Sequence, residues 1–170
     1  MNVLGNTPPP ATGIDATTSD GFAFSNNTRV SGAGVLLLGG EVYKWRPWGS
    51  LTEEGGKGKE GEGEVVGEGD KRLEGQLRNA KGQWEPALDK EPWGLLEVLH
   101  PKPDLLIIGT GKGIVPISPA TRRRINELGV RIEVQDTRNA ASQYNLLATE
   151  RGVGQVGAAL VPIGFREVTS

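Results

Sequence analysis

There is no cysteine in the 170 residues and a single histidine, His100. The first absence removes disulfides, thiolate nucleophiles and thiolate metal sites, and the second removes every multi-histidine metal constellation. No stretch approaches the ~20 apolar residues of a membrane-spanning helix. The longest purely apolar runs, among them residues 35–38 and 105–108, are four residues long. A basic excess is also lacking: 19 Lys and Arg stand against 21 Asp and Glu, a net charge of −2. Nothing here drives generic binding to a phosphate backbone, so no nucleic-acid partner is expected. Residues 1–28 hold no Lys or Arg and include a proline triplet at 8–10, unlike a secretory signal or an Arg-rich import peptide.

What is plentiful is glycine and proline, 26 and 11 residues, beside a hydrophobic share of only 36%. That mixture predicts one ordinary core diluted by irregular stretches, and the length fits a single domain. Residues 1–21 read as a flexible arm, because 6–20 are rich in Thr, Pro, Ala and Ser without a hydrophobic period. Residues 53–71 form a Gly/Glu/Lys tract with seven acidic and three basic residues. Such a tract buries too little apolar surface to offset its ordering entropy and reads as a disordered, solvated insertion. Residues 165–170 read as a tail, leaving 22–164 as the domain.

Within that domain, residues 35–38, Gly39-Gly40 and 41–46 have the pattern of two strands joined by a tight glycine turn. In the second strand Tyr43 and Trp45 alternate with Val42, Lys44 and Arg46, so the aromatic face should point inward. Residues 92–100 read as a short helix stopped by Pro101 and Pro103. The consecutive Leu105, Leu106, Ile107 and Ile108 suit a strand covered on both faces. Ser118 and Pro119 supply an N-cap and first-turn proline for a helix ending at Gly129, and Val130, Ile132 and Val134 make the next strand. Asp136 or Thr137 then caps a helix in which Ala140, Tyr144 and Leu147 recur at helical spacing up to Gly152. A last strand covers 156–162. Strand, helix, strand, helix, strand is the grammar of right-handed crossovers. The fold class predicted is α/β: a mixed central sheet flanked by helices, with an additional β layer from the N-terminal hairpin.

Two loop mouths could carry chemistry. The turn Gly109, Thr110, Gly111 and Lys112 follows a buried strand, but residues 114–117 intervene before the helix cap at Ser118. The helix N-terminus therefore cannot meet a phosphate inside the glycine motif, and Gly113 is followed by Ile114 rather than by the Lys-Ser/Thr of a P-loop. Asp136, Thr137, Arg138 and Asn139 lie at the end of the next parallel strand and should project to the same crevice, with Tyr144 nearby. Helix capping alone accounts for Asp136 and Thr137, and Asp136 disfavours an anion there. His100 has no nucleophile beside it, Ser118 and Ser142 lack a nucleophile elbow, and no catalytic set can be assembled. Neither a metal nor a cofactor is called for. Beyond the strand, Arg46 and Trp48 form a candidate partner-binding anchor, Trp48 being the better placed because it lies past Pro47.

The segments PDLLIIGTG (residues 103–111), LGVRIEVQDTRNAASQYNLLATERG (128–152) and GAALVPIG (157–164), with weaker matches in GFAF (21–24) and VLLLGGEVYKWRPW (35–48), resemble a known family. It is the small α/β family whose mitochondrial members are respiratory complex I assembly factors, the NADH dehydrogenase (ubiquinone) assembly factor 3-like domain, and the phrasing is similar to fungal members. The resemblance implies a mitochondrial matrix location and a non-catalytic, chaperone-like role in building the peripheral quinone-side module. It also implies quinone-module subunits and a second assembly factor as partners, with peripheral membrane association through them. It carries over no catalytic residue. The alternative expectation is a small-molecule binder or enzyme using the crevice between the 109–111 and 136–139 loops.

Overall fold

The computed structural model describes residues 12–48, 73–87 and 91–168. The 53–71 tract lies outside them. The sequence runs β1 (Ile14–Thr18), β2 (Gly21–Phe24), β3 (Arg29–Ser31), β4 (Gly34–Leu38), β5 (Glu41–Trp45) and β6 (Glu74–Gly75). It continues α1 (Gly94–Val98), β7 (Leu105–Gly109), α2 (Pro119–Asn126), β8 (Arg131–Gln135), α3 (Thr137–Arg151), β9 (Val156–Leu160) and β10 (Arg166–Glu167).

The central sheet has the order β5-β4-β9-β7-β8. β7 is parallel to both β8 and β9, and β9 is antiparallel to β4, which makes the sheet mixed. The β4–β5 turn is Gly39-Gly40, with φ of 60° and 84°. Two successive positive φ values are what a two-residue hairpin matched to strand twist requires. This hairpin lies within the central sheet. The additional β layer is built upstream of it, by the antiparallel set β1-β2-β3.

The run in β7 now has its reason. Leu105 and Ile107 face one core and Leu106 and Ile108 the other, so no position meets water. On the first face lie α3, through Ala140, Ala141, Tyr144 and Ala148, and the outer layer, through Ile14, Phe22, Phe24 and Val30. On the second lie Ile125 of α2, Leu96 of α1 and four tryptophans. Trp45, Trp84 and Trp93 form a tilted trio with ring centroids 5.2–6.4 Å apart. Trp45 Nε1 donates to Pro92 O at 3.0 Å, whereas the buried indole N–H groups of Trp84 and Trp93 have no partner among the described residues. Burying roughly 200 Å² per ring at ~25 cal/mol/Å² contributes about 5 kcal/mol, more than the ~1–3 kcal/mol cost of an unpaired donor. Trp84 bridges to Arg78 and Ile117 as isolated pairs rather than within a strand.

Two expectations at the chain's ends are corrected. The arm expected over 1–21 contains β1, which pairs with β2 and is stitched to α3. Asn145 accepts from Ile14 N at 2.8 Å and donates to Ile14 O at 2.9 Å, and the Tyr144 hydroxyl shares a 2.6 Å hydrogen bond with Thr12 Oγ1. The tail expected from 165 contains β10, parallel to β6, whose Glu167 carboxylate accepts from Leu77 N and Arg78 N at 3.0 Å.

Burial pushes the Tyr144 phenol above its ordinary value of 10.0, and the Thr12 hydrogen bond opposes this. The native state thus holds that proton more tightly than the unfolded chain, so its contribution is full below about pH 10 and falls as the pH rises further. Tyr144→Phe is expected to lose about 1 kcal/mol at pH 7, where Thr12 loses its partner, and to show a shallower fall in stability at alkaline pH. Urea titrations from neutral to alkaline pH check both, and parallel curves for the two proteins would contradict the assignment.

Candidate functional site

The chain leaves β7 over the second face to reach β8 through α2, and leaves β8 over the first face to return through α3 to β9. Loops that part in this way at the carboxyl ends of strands usually bound a ligand crevice. Here the loops close onto each other. Thr137, fully buried at the first position of α3, donates its hydroxyl to Val161 O at 2.5 Å and accepts from Gly111 N at 2.8 Å. Its own N–H donates to Gly111 O at 2.9 Å, and Val161 N donates to Gly109 O at 3.0 Å. One hydroxyl therefore joins the ends of β7, α3 and β9.

Gly109 permits that closure. A methyl group there would come within 2.9 Å of both Cα and Oγ1 of Thr137, so only glycine lets the first turn of α3 sit against β7. Thr110 is buried and self-contained: its hydroxyl donates to Gly113 O at 2.7 Å and accepts from Val115 N at 3.1 Å. Asp136 caps α3 by accepting from Asn139 N at 2.8 Å, and Asn139 Nδ2 adds a 3.0 Å bond to the same carboxylate. Ser118 caps α2 in the same manner, accepting from Thr121 N at 3.1 Å.

The structure thus brings Gly109, Thr110, Gly111, Asp136, Thr137 and Asn139 together, and they spend their polar groups on one another. Lys112 and Arg138 are exposed and make no hydrogen bond or ion pair among the described residues. Tyr144 does not reach the crevice. It lies two turns along α3, wholly buried under the β1–β3 layer, because its helical phase matches Ala140 and Ala148 on the core side. The partner anchor is likewise corrected at Trp48, which is buried with 4% of its surface exposed, its ring 4.8 Å from that of Phe165. Arg46 is exposed, donates Nε to Gly32 O at 3.1 Å and holds its guanidinium 5.8 Å from the Trp48 ring. A contact between residues 48 and 165 leaves no local signal in the sequence.

Two cavities adjoin these elements. One of about 90 Å³ lies between the glycine turn and β10, lined by Arg78, Trp84, Thr110, Lys112, Phe165 and Glu167 among others. A larger cleft of about 290 Å³ lies beside β5, and sequence reasoning missed it because Glu91, Pro92 and Leu95 come from a distant segment. No group of His, Asp and Glu among the described residues could hold a metal ion, and no described helix is long and apolar enough to cross a membrane.

The family model for a protein of unknown function (DUF498/DUF598) matches residues 14–161. NADH dehydrogenase [ubiquinone] 1 alpha subcomplex assembly factor 3 from Xenopus tropicalis is 35% identical over 75 residues, 44% of this chain and 40% of that protein. The Bos taurus protein of the same name is 35% identical and the Homo sapiens one 31%, over the same shares. The chain thus spans about two fifths of the length of the curated relatives it matches. Among solved structures, a Bordetella pertussis protein described as a Mth938-like domain superposes with a TM-score of 0.55 at 23% identity, covering 92% of this chain and 90% of that one. A Bartonella henselae protein described as an outer membrane protein gives 0.52 at 18% identity, with 91% and 97% covered. These two show a shared fold.

Thr137→Val keeps the shape of the side chain but leaves Gly111 N and Val161 O unpaired, and is expected to cost about 2–4 kcal/mol. The double variant Lys112→Ala, Arg138→Ala removes two solvated charges and should stay within about 0.5 kcal/mol of the parent. Equilibrium urea denaturation of the three proteins checks the contrast.

Proposed function

From the premise that the chain belongs to the DUF498/DUF598 family, we propose that it is a non-catalytic assembly factor for mitochondrial respiratory complex I. Its site of action is the peripheral quinone-side module in the matrix, where it works with a second assembly factor and early hydrophilic subunits. The observation that carries this is the similarity to assembly factor 3 proteins in the stretch they share. The closed loop mouth supports it from the chemical side: a crevice whose polar groups are consumed by helix capping and chain closure offers no positioned acid, base or nucleophile.

A body of this kind works by mass action. It binds a subunit whose mating surface is still uncovered, lowers the population that aggregates or is degraded, and leaves when the next subunit competes for that surface. Rigidity helps, since a platform held by two packed cores spends little ordering entropy on docking. The rival reading, a small-molecule binder at the 109–111 and 136–139 loops, requires Lys112 or Arg138 to turn into the crevice between those loops; Arg138 is exposed, and Lys112 is exposed at the rim of the small cavity beside β10.

Deletion of the gene is expected to lower assembled complex I and to leave quinone-module subunits stranded or degraded, as read on native gels. The Lys112→Ala, Arg138→Ala double variant should restore assembly in full. Normal complex I in deletion cells would contradict the reading.

A further inference from the structure

We propose that the outer edge of β5 is a docking site for an extended segment of a partner protein in which apolar residues alternate with acidic ones. This inference rests on the docking-body reading above and gives it a surface. β5 is a terminal strand of the central sheet, and its register fixes which of its backbone groups are already used. The two-residue turn pairs Leu38 with Glu41, so the hydrogen-bonded pairs run Leu38–Glu41, Leu36–Tyr43 and Gly34–Trp45. On the other side of β4, residues 35–37 pair with 158–160 of β9, so β4 is covered on both edges and β5 on one. The N–H and C=O groups of Val42 and Lys44 therefore point away from the sheet, and an added strand would find two pairs of them.

Chemistry on the two sides of that edge selects the guest. On the face of Tyr43 and Trp45 lies the 290 Å³ cleft, with Leu36, Pro47, Pro92 and Leu95 completing an apolar floor. A guest residue opposite Tyr43 enters the cleft and is favoured when aromatic or aliphatic. The next guest residue emerges on the other face opposite Lys44, which is exposed and makes no ion pair among the described residues. A carboxylate there forms a cross-strand pair. The opposite edge of the sheet differs: Glu133 and Gln135 of β8 are engaged by Gln143 of α3.

The test uses the full chain and a blocked hexapeptide alternating glutamate with phenylalanine, followed by amide chemical shifts. Expected are saturable shifts centred on Val42 to Trp45, and about fivefold weaker binding when lysine replaces glutamate in the peptide. Lys44→Pro removes an outward N–H that the β4–β5 ladder does not use, and should weaken binding about tenfold. Should Lys44→Pro fail to fold, Lys44→Glu keeps the backbone donor, reverses the charge and should weaken binding about fivefold. Unchanged affinity in either folded variant overturns the proposal. So does a dimer of the protein alone that Lys44→Pro abolishes, which would assign the edge to a second copy. Tighter peptide binding after removal of residues 53–71 would assign it to the chain's own acidic tract and is equally fatal. In deletion cells, full restoration of complex I by Lys44→Pro refutes the docking edge and leaves the assembly reading intact, whereas normal complex I without the gene refutes that reading by itself.

Discussion

The buried hydroxyl of Thr137 is the constraint on which the loop-mouth end of the molecule depends. Three chain segments, the exit of β7, the start of α3 and the exit of β9, meet at that one oxygen and its backbone N–H. Unpaired in this buried site, the groups it satisfies would each cost ~1–3 kcal/mol. Gly109 is bound to the same requirement, since any side chain there would push α3 off the strand. In a dinucleotide-binding fold the corresponding glycine turn stands apart from its neighbours to admit a ligand. Here the turn is drawn against the neighbouring helix, and the closure converts a common ligand position into a structural joint.

With that end closed, the molecule becomes a slab with two unlike faces. Under α3 the sheet presents valine, leucine and alanine, and helix and outer layer approach closely over small side chains. On the other face large rings pack beneath α1, α2 and, among the described residues, short irregular segments. A tryptophan trio spans gaps that a longer helix would otherwise fill, and the segment carrying Pro92 is pinned by the Trp45 indole. The cleft beside β5 is a consequence of that patchwork cover. It lies between the last strand of the sheet and the segment 91–95.

Much of this was legible in the sequence where the signal was local. The unbroken apolar run at 105–108, the Gly39-Gly40 turn, the Ser118-Pro119 start and the Asp136 cap each specify their element by a short-range steric or hydrogen-bonding rule, and the structure has each of them. What was not legible depends on partners far along the chain. β1 looks like a polar arm because only Ile14 of its five residues is buried. It is held by Tyr144 and Asn145 more than 130 residues away. Trp48 looks exposed because its cover, Phe165, comes from the last strand region. Tyr144 is close to Asn139 in sequence, yet it lies two turns along α3 from the mouth, and its phase with Ala140 and Ala148 turns it into the core.

Amide hydrogen exchange at Gly111 and Thr137 probes most directly whether the loop mouth is a joint. If the joint is structural, both amides exchange only through global unfolding, at the rate of the slowest protons in β7 and β9, and a panel of nucleotides and small carboxylates leaves them unchanged. Exchange through a local opening that a small molecule suppresses would show a mouth that opens to bind, and would contradict the account.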